Sequence, residues 1–337
     1  MTIVGAFDLH RRQITYDYLR TDTGEVRRGR ITPADRASLR GWLDRLAGES
    51  GDFAVEGCTG WRFVVEELEA AGLRPHVAEP TDTATARGRK RRAKTDPGDA
   101  QWQRELLISG KLPESWIPPT HVLEVRALVR LYVDLLGEHN GWRQRLQATL
   151  FHQGVPATSK PTAELVDRAE LSPAGRDAAA TCLRQLDRLA GELDQLRRRL
   201  HRFAGRQTGC QALQAHYGIG PLTGVAIWEE LGDTRRFRNS TAAVRHTGLD
   251  VTVYSSDTTR ARGHLSRQGP AVLRWALYEA AMRAGNVQSP DHRYYCTVKG
   301  RLGAERATIS VARKLARRCH HTLRQLGDEA WSPALLD

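Results

Sequence analysis

In the first hundred residues, segments with the apolar spacing of a β-strand alternate with segments that have the apolar spacing of an α-helix. Short apolar or alternating runs predict three consecutive strands, at Ile3–Phe7, Gln13–Leu19 and Arg27–Ile31. A helix, a strand, a helix and a strand are then predicted, at Pro33–Leu46, Phe53–Val55, Trp61–Ala71 and Pro75–Ala78. The sequence therefore predicts an N-terminal α/β domain.

The middle of the chain has the spacing of long amphipathic helices. Apolar residues recur at helical intervals over Leu123–Phe151 and Ala178–Phe203, and Pro156 and Pro161 interrupt the pattern between them. We expect a long helical (coiled-coil) hairpin that either buries its own seam or serves as a dimerisation arm. A mostly α-helical C-terminal domain follows, with one helix over Pro270–Met282. The predicted domains are residues 1–112, 113–205 and 206–337.

Composition limits the class of protein. Of the 337 residues, 40% are hydrophobic, which is enough for real cores, and no run reaches the roughly 18–20 apolar residues that a membrane span needs. The N-terminus lacks a secretory signal, and the five cysteines are far apart without metal-binding spacing. We therefore expect a cytoplasmic protein with reduced cysteines and no membrane partner.

Positive charge favours nucleic acid as the partner. The formal net charge is +12 and the isoelectric point is near 9.9, and a surplus of Lys and Arg neutralises phosphates and releases counterions. A GC-rich genome would also produce many solvated arginines.

One basic segment is either a solvated loop or a contact to nucleic acid. It contains Arg87, Arg89, Lys90, Arg91, Arg92 and Lys94. Because it lies between candidate catalytic acids, we favour nucleic-acid contact with ordering on binding, and a nucleoid-associated location.

Acidic residues end two of the predicted strands. Asp8 follows the first apolar strand and Glu56 follows Phe53–Val55. If those strands are neighbours, the two carboxylates converge, and converging buried carboxylates need a cation to stay ionised. Magnesium (Mg²⁺) is the natural candidate, with Mn²⁺ as the alternative, because such oxygen clusters serve phosphoryl transfer on DNA.

A third acidic motif has two readings. In Lys94-Thr95-Asp96-Pro97-Gly98-Asp99-Ala100, Pro97 fits the first helical position, so Asp96 would be the N-cap and Asp99 the third residue of a helix. Residues three apart share a helix face and can act together on a ligand. The same pattern is typical of a plainly capped helix whose acids favour the helix dipole without any metal.

These motifs together resemble a known family. The strand and helix order is the one expected of an RNase H-like sheet, and Phe7-Asp8, Val55-Glu56-Gly57-Cys58-Thr59-Gly60 and Lys94–Ala100 resemble the motifs of the DEDD transposases of insertion-sequence family one-ten. The resemblance implies an RNase H-like (RuvC-like) N-terminal domain. It also implies four acids that bind a divalent metal, by position Asp8, Glu56, Asp96 and Asp99.

The C-terminal half contains a glycine turn and a polar loop. Gly218 and Gly220 precede a helical pattern, as in helix-hairpin-helix units that present backbone N–H groups to DNA phosphates, or in a tight turn between two packed helices. Farther on, Tyr254–Gly269 is a polar, arginine-containing loop before the Pro270–Met282 helix.

This second half is similar to the C-terminal domain of the same family. By position, Ser256 matches the family's serine nucleophile, which forms a covalent phosphoserine link to DNA. Arg260, Arg262 and Arg267 are the nearest candidates to stabilise the phosphate. Asp257 and Val251 depart from the residues that family members often carry, and Ser255 stands beside Ser256.

Three functions follow from these observations. The resemblance implies a transposase and recombinase that acts by transesterification on donor and target DNA, guided by a bridge RNA, in a homo-oligomer from dimer to tetramer. A RuvC-like nuclease that resolves junctions with water would need only the acids. A nucleic-acid-binding protein without catalysis would use the acids only as caps and strand ends.

Overall fold

The computed structural model describes residues 2–86, 96–156, 158, 161–252, 254–256, 259–261 and 263–336, with the backbone alone for 254–256 and 259–261. The chain forms two compact units, Met1–Ile117 and Pro118–Asp337. The first boundary lies five residues beyond the predicted end of the N-terminal domain. The predicted division of the remainder at residues 205 and 206 stays a prediction.

The described residues of the first unit form a six-stranded mixed sheet. Its strands are β1 Thr2–Leu9, β2 Ile14–Arg20, β3 Val26–Ile31, β4 Ser50–Glu56, β5 Arg74–Ala78 and β6 Glu114–Ser115. They lie in the order β3-β2-β1-β4-β5-β6. The first three strands are antiparallel, whereas β4 runs parallel to β1 and β5 runs parallel to β4.

Helices cover both faces of this sheet. The helices are α1 Arg36–Leu43, α2 Trp61–Ala70, α3 Pro80–Ala86 and α4 Asp96–Ile108. Alternate strand residues such as Phe7 and Phe53 pack with Trp42 of α1 and Leu68 of α2 in the larger core. On the opposite face, Ala6, Ala54 and Ala78 pack against Leu106 of α4, and small side chains there let the helix approach the sheet.

The second unit is mostly helical. Its helices are α5 Thr120–His152, α6 Ala163–Arg168, α7 Pro173–Arg206, α8 Thr208–Gln214, α9 Pro221–Leu231, α10 Ser240–His246, α11 Ala271–Met282, α12 His292–Leu302 and α13 Ala304–Leu326. The end of α5 packs against the start of α7, where Leu146 and Leu150 contact the cluster that includes Ala179 and Cys182. A short antiparallel pair, β7 Tyr254–Ser256 and β8 Thr259–Ala261, separates α10 from α11.

The predicted fold class is confirmed at the level of an α/β N-terminal domain followed by a mostly helical remainder. The two long predicted helices are present as α5 and α7, but a coiled coil stays a prediction. The first helix begins at Arg36 instead of Pro33, because the Asp35 side chain accepts a hydrogen bond from the Ser38 N–H and caps the helix there. Among the described residues, no helix combines the length and the apolar character needed to cross a membrane.

Candidate active site

Asp8 is a buried carboxylate at the end of β1. Its side chain is 6% exposed, and it lies one residue after Phe7, which faces the larger core. Because side chains alternate along a strand, Asp8 shares the face of Ala6, the face that α4 covers. The fold therefore turns a charged group toward the N-terminal end of α4.

Three side chains meet at this point. The Nε2 atom of His10 lies 3.1 Å from an Asp8 oxygen and 3.4 Å from an Asp96 oxygen. The Gln13 amide donates a hydrogen bond to the other Asp96 oxygen at 3.2 Å. One ligand atom from each of Asp8, His10 and Asp96 lies within 4.8 Å of the other two. The loop after β1 and the start of α4 thus form one polar cluster.

The electrostatics of the cluster favour a cation. Burial raises the pKa of the Asp8 carboxyl above its ordinary value, His10 opposes that shift, and the charges of Asp99 and Asp96 raise the pKa further. A bound divalent cation would remove this mutual repulsion, and two carboxylates with an imidazole form a chemically suitable donor set. These residues fit a divalent metal.

The four predicted acids take different positions. Asp96 and Asp99 both lie in the first turn of α4, which begins at Asp96, one residue before the predicted start at Pro97. Glu56 ends β4, and continuing the parallel register from the Phe7–Val55 pair by one residue sets Glu56 beside Asp8. Within the described residues, the group of ligand atoms inside 4.8 Å includes Asp8 and Asp96 but neither Glu56 nor Asp99.

Sequence reasoning missed His10 and Gln13. His10 follows Asp8 at a spacing of two, which was a usable signal, because residues two apart near a strand share a face. Gln13 lies just before β2, and its contact with Asp96 spans 83 positions of the chain. No local sequence pattern predicts such a contact.

Ser256 lies on a two-stranded hairpin, where the sequence predicted only a polar loop. Its backbone pairs with Thr259, and the Ser255 backbone pairs with Arg260. At the base of this arm, Val251 forms an antiparallel bridge with Leu265. The Ser266 hydroxyl also donates a hydrogen bond to Asp250 at 2.5 Å. The backbone therefore presents Ser256 at the last pair before the connecting residues 257 and 258, which lie outside the described residues.

The predicted basic residues are only partly described. Arg267 is exposed and has a φ of 52°, and its N–H donates to the Gly248 carbonyl. Arg260 is described by its backbone in β8, and Arg262 lies outside the described residues. The predicted basic segment also lies outside them, with Arg87, Arg89, Lys90, Arg91, Arg92 and Lys94. Their nucleic-acid contacts stay predictions.

The glycine turn connects α8 to α9 and packs closely. Gly218 has a φ of 91°, and a Cβ there would lie 2.3 Å from the Ala280 carbonyl oxygen. Gly220 precedes α9, and its N–H donates to the Thr223 hydroxyl at 3.0 Å. A pocket of about 510 Å³ opens beside the turn, lined in part by Tyr217, Thr223, Glu279 and Arg283. Close packing against Ala280 therefore explains why residue 218 is a glycine. Phosphate binding at the turn stays a prediction.

Two models of known protein families match this chain. Residues 6–153, which contain all four acids, match the family model for DEDD transposases of the IS110 type. The description of that model is Transposase. Residues 210–296, which contain Ser256, match the model described as Transposase IS116/IS110/IS902 family. The chain belongs to the IS110 family of transposases. Both matches fall in the order that the sequence motifs predicted for this family.

A similar protein also supports the assignment to this family. The chain is 27% identical over 241 residues to protein y4rJ of Sinorhizobium fredii, which is named as a transposase. That match covers 64% of this chain and 60% of the relative. The chain thus spans less than two thirds of the relative's length.

Proposed function

We propose that this IS110-family chain is a DNA transposase that cuts and rejoins DNA by transesterification. The observation that carries the proposal is the meeting of Asp8 and Asp96 through His10, which brings together residues 88 positions apart within the family match. A buried carboxylate such as Asp8, placed next to further acids at the end of a sheet, is a costly arrangement for a protein that only binds nucleic acid.

In this proposal Asp8, Glu56, Asp96 and Asp99 hold Mg²⁺ or Mn²⁺ at the edge of an RNase H-like sheet. The strand order, with three antiparallel strands followed by two parallel ones, supports that assignment. When bound, the cation supplies charge neutralisation and polarisation of a DNA phosphate. Asp8 is held rigidly by its strand, whereas Asp96 and Asp99 are oriented by the first turn of α4.

Ser256 is the proposed nucleophile. Its hydroxyl oxygen forms a bond to phosphorus while the bond from phosphorus to a deoxyribose oxygen breaks, and that oxygen takes up a proton as the serine loses one. A hydroxyl of another DNA end then attacks the phosphoserine, which restores the serine and joins the new strands without ATP. Arg260, Arg262 and Arg267 are proposed to stabilise the charged phosphate.

The partners in this proposal are donor DNA, target DNA and a bridge RNA that supplies specificity by base pairing. A net charge of +12 supports binding to such polyanions. Cutting two duplexes needs four active sites, so we propose a homo-oligomer that reaches a tetramer. The long α5 and α7 helices are candidates for the contact between subunits.

A second candidate is a junction-resolving nuclease of the RuvC-like kind. It is favoured by one specific observation. Asp8, His10 and Asp96, which form a cluster among the described residues, all belong to the first unit. Such an enzyme would activate water in place of the serine hydroxyl.

One assay separates the candidates. The full chain is incubated with Mg²⁺ or Mn²⁺, RNA from the DNA flanking the gene, and end-labelled element DNA, and label that stays with denatured protein is measured. We expect covalent label with the wild type and with Ser255→Ala, and none with Ser256→Ala. Cuts without attached label would favour the nuclease. Asp8→Asn should abolish cleavage in either case while DNA retention persists.

A further inference from the structure

His10 belongs to the acid cluster but to none of the acidic motifs, and it lies against both Asp8 and Asp96. Its Nε2 atom faces two carboxylates at once, at 3.1 Å from Asp8 and 3.4 Å from Asp96. The side chain is 50% exposed, so its inward direction is not imposed by burial. One imidazole nitrogen therefore converges with two carboxylate oxygens on a common point.

A second histidine of the same unit shows what an ordinary pairing looks like. His76 uses Nε2 toward Asp52 and Nδ1 toward Glu114, both at 3.1 Å. Because its two nitrogens point to different acids, they do not converge on one point. His10 differs because a single nitrogen faces both acids, so that a cation bound by the two carboxylates would also lie within reach of this nitrogen.

We propose that His10 is a metal ligand and that its nitrogen makes this centre select Mn²⁺ over Mg²⁺. The inference rests on the proposed function, because it concerns the metal held by Asp8 and Asp96. Carboxylate and water oxygens suit both cations, whereas imidazole nitrogen suits transition metals and is a poor ligand for Mg²⁺. Adding one imidazole to an acidic cluster therefore shifts preference toward Mn²⁺ without excluding Mg²⁺.

The test uses the full chain with Mn²⁺ alone. Pulsed electron paramagnetic resonance detects the coupling of Mn²⁺ to a directly bound ¹⁴N nucleus, and calorimetry gives the affinities for Mn²⁺ and Mg²⁺. We expect ¹⁴N coupling in the wild type and in the control His76→Gln, and its loss in His10→Gln. We also expect His10→Gln to weaken Mn²⁺ binding on the order of tenfold and Mg²⁺ binding much less.

The outcomes separate this inference from the proposed function. If the wild type binds Mn²⁺ without ¹⁴N coupling, or His10→Gln keeps the coupling and the Mn²⁺ preference, His10 is only a hydrogen-bond donor and the inference is wrong. Asp8→Asn tests the centre itself. If Asp8→Asn binds Mn²⁺ as tightly as the wild type, the metal assignment of the proposed function is wrong.

Discussion

Asp17 and Arg104 form a buried ion pair that fixes α4 to the central sheet. The Arg104 Nε donates to one Asp17 oxygen at 2.5 Å, and the side chains are 8% and 1% exposed. Arg28 of β3 donates to the other Asp17 oxygen at 2.6 Å. Arg104 lies eight residues after Asp96 in the same helix, so this pair helps to set the position of the helix that carries Asp96 and Asp99.

Removing either partner should destabilise the protein, but unequally. Asp17→Asn leaves the Arg104 charge buried without a counter-ion, which costs about 3 kcal/mol or more of unfolding free energy. Arg104→Gln should cost less, because Asp17 keeps Arg28. Urea denaturation measures both values. We also expect each variant to bind Mn²⁺ more weakly than the wild type, because α4 is displaced.

Arg74, whose side chain is 78% exposed and pairs with the partly buried Asp52, provides the control. Arg74→Gln should change the unfolding free energy by less than about 1 kcal/mol. Equal costs for Arg74→Gln and Asp17→Asn would contradict the anchoring role.

The pair also shows where sequence reasoning ends. Asp17 and Arg104 are 87 positions apart. Arg104 belongs to a segment with helical spacing, and an arginine in such a segment is normally predicted to be exposed to solvent. Strand and helix order could be predicted because apolar periodicity is local. The contacts of Arg104 could not, because they depend on how α4 crosses the sheet.

Some residues of the candidate site could likewise be predicted from the sequence, and others could not. Asp8 and Asp96, which lie together in the structure, could be placed from the sequence because Asp8 ends an apolar strand and Asp96 belongs to a motif. The place of Glu56 and Asp99 in the site stays a prediction. The convergence of His10 on Asp8 and Asp96 needed the fold, since the turn between β1 and β2 decides where His10 points. The Ser256 hairpin was missed because its strands are three residues each and strongly polar, without an apolar period to detect.

A buried glutamate in the second unit should make stability fall with rising pH. Glu229 of α9 is fully buried, and its carboxylate accepts a hydrogen bond from Arg126 at 2.7 Å. Burial raises the pKa of Glu229 from 4.5 to about 8, Glu230 adds to the rise, and Arg126 opposes it. The folded state therefore keeps a proton that the unfolded chain releases near pH 4.5.

The window from pH 6.5 to 8 isolates this effect. Buried His246, with its pKa lowered to about 4, gives the opposite slope below pH 6.5. Above pH 6.5 the unfolding free energy should fall by up to about 1.4 kcal/mol per pH unit until pH 8. Glu229→Gln should flatten that slope and the exposed Glu192→Gln should not. A slope that persists in Glu229→Gln would refute the assignment.

The glycine turn should tolerate substitution at one position and not the other. Gly218→Ala should cost more than about 1 kcal/mol, because a Cβ there meets the Ala280 carbonyl and the φ is positive. Gly220→Ala should cost less than about 1 kcal/mol, because its φ is −94° and nothing lies within 4 Å. Thermal unfolding measures both. Comparable losses would show that close packing against Ala280 does not explain Gly218.

The basic segment should control the salt dependence of DNA binding. Replacing Arg89, Lys90 and Arg91 with Gln removes three positive charges. If each contacts a phosphate of duplex DNA, the slope of log affinity against log salt should become shallower by about 2–3. Fluorescence anisotropy over a range of salt concentrations gives the slope.

Three exposed arginines of the first unit serve as a matched control, at Arg27, Arg45 and Arg74. Replacing them removes the same charge, and Arg27 and Arg74 already pair with acidic side chains. We expect their slope to stay near the wild type. Equal changes in both triple variants would mean that total charge, and not the basic segment, determines DNA affinity.

The central claim is that a serine of the β7–β8 hairpin becomes bonded to DNA, and mass spectrometry of the reacted protein tests it most directly. Trypsin should release the peptide from His246 to Arg260, which contains Ser255 and Ser256. After reaction with DNA and nuclease trimming, we predict a nucleotide adduct on Ser256 in the wild type and in Ser255→Ala. Cleaved DNA with no adduct on this peptide, or an adduct that survives in Ser256→Ala, would contradict the account.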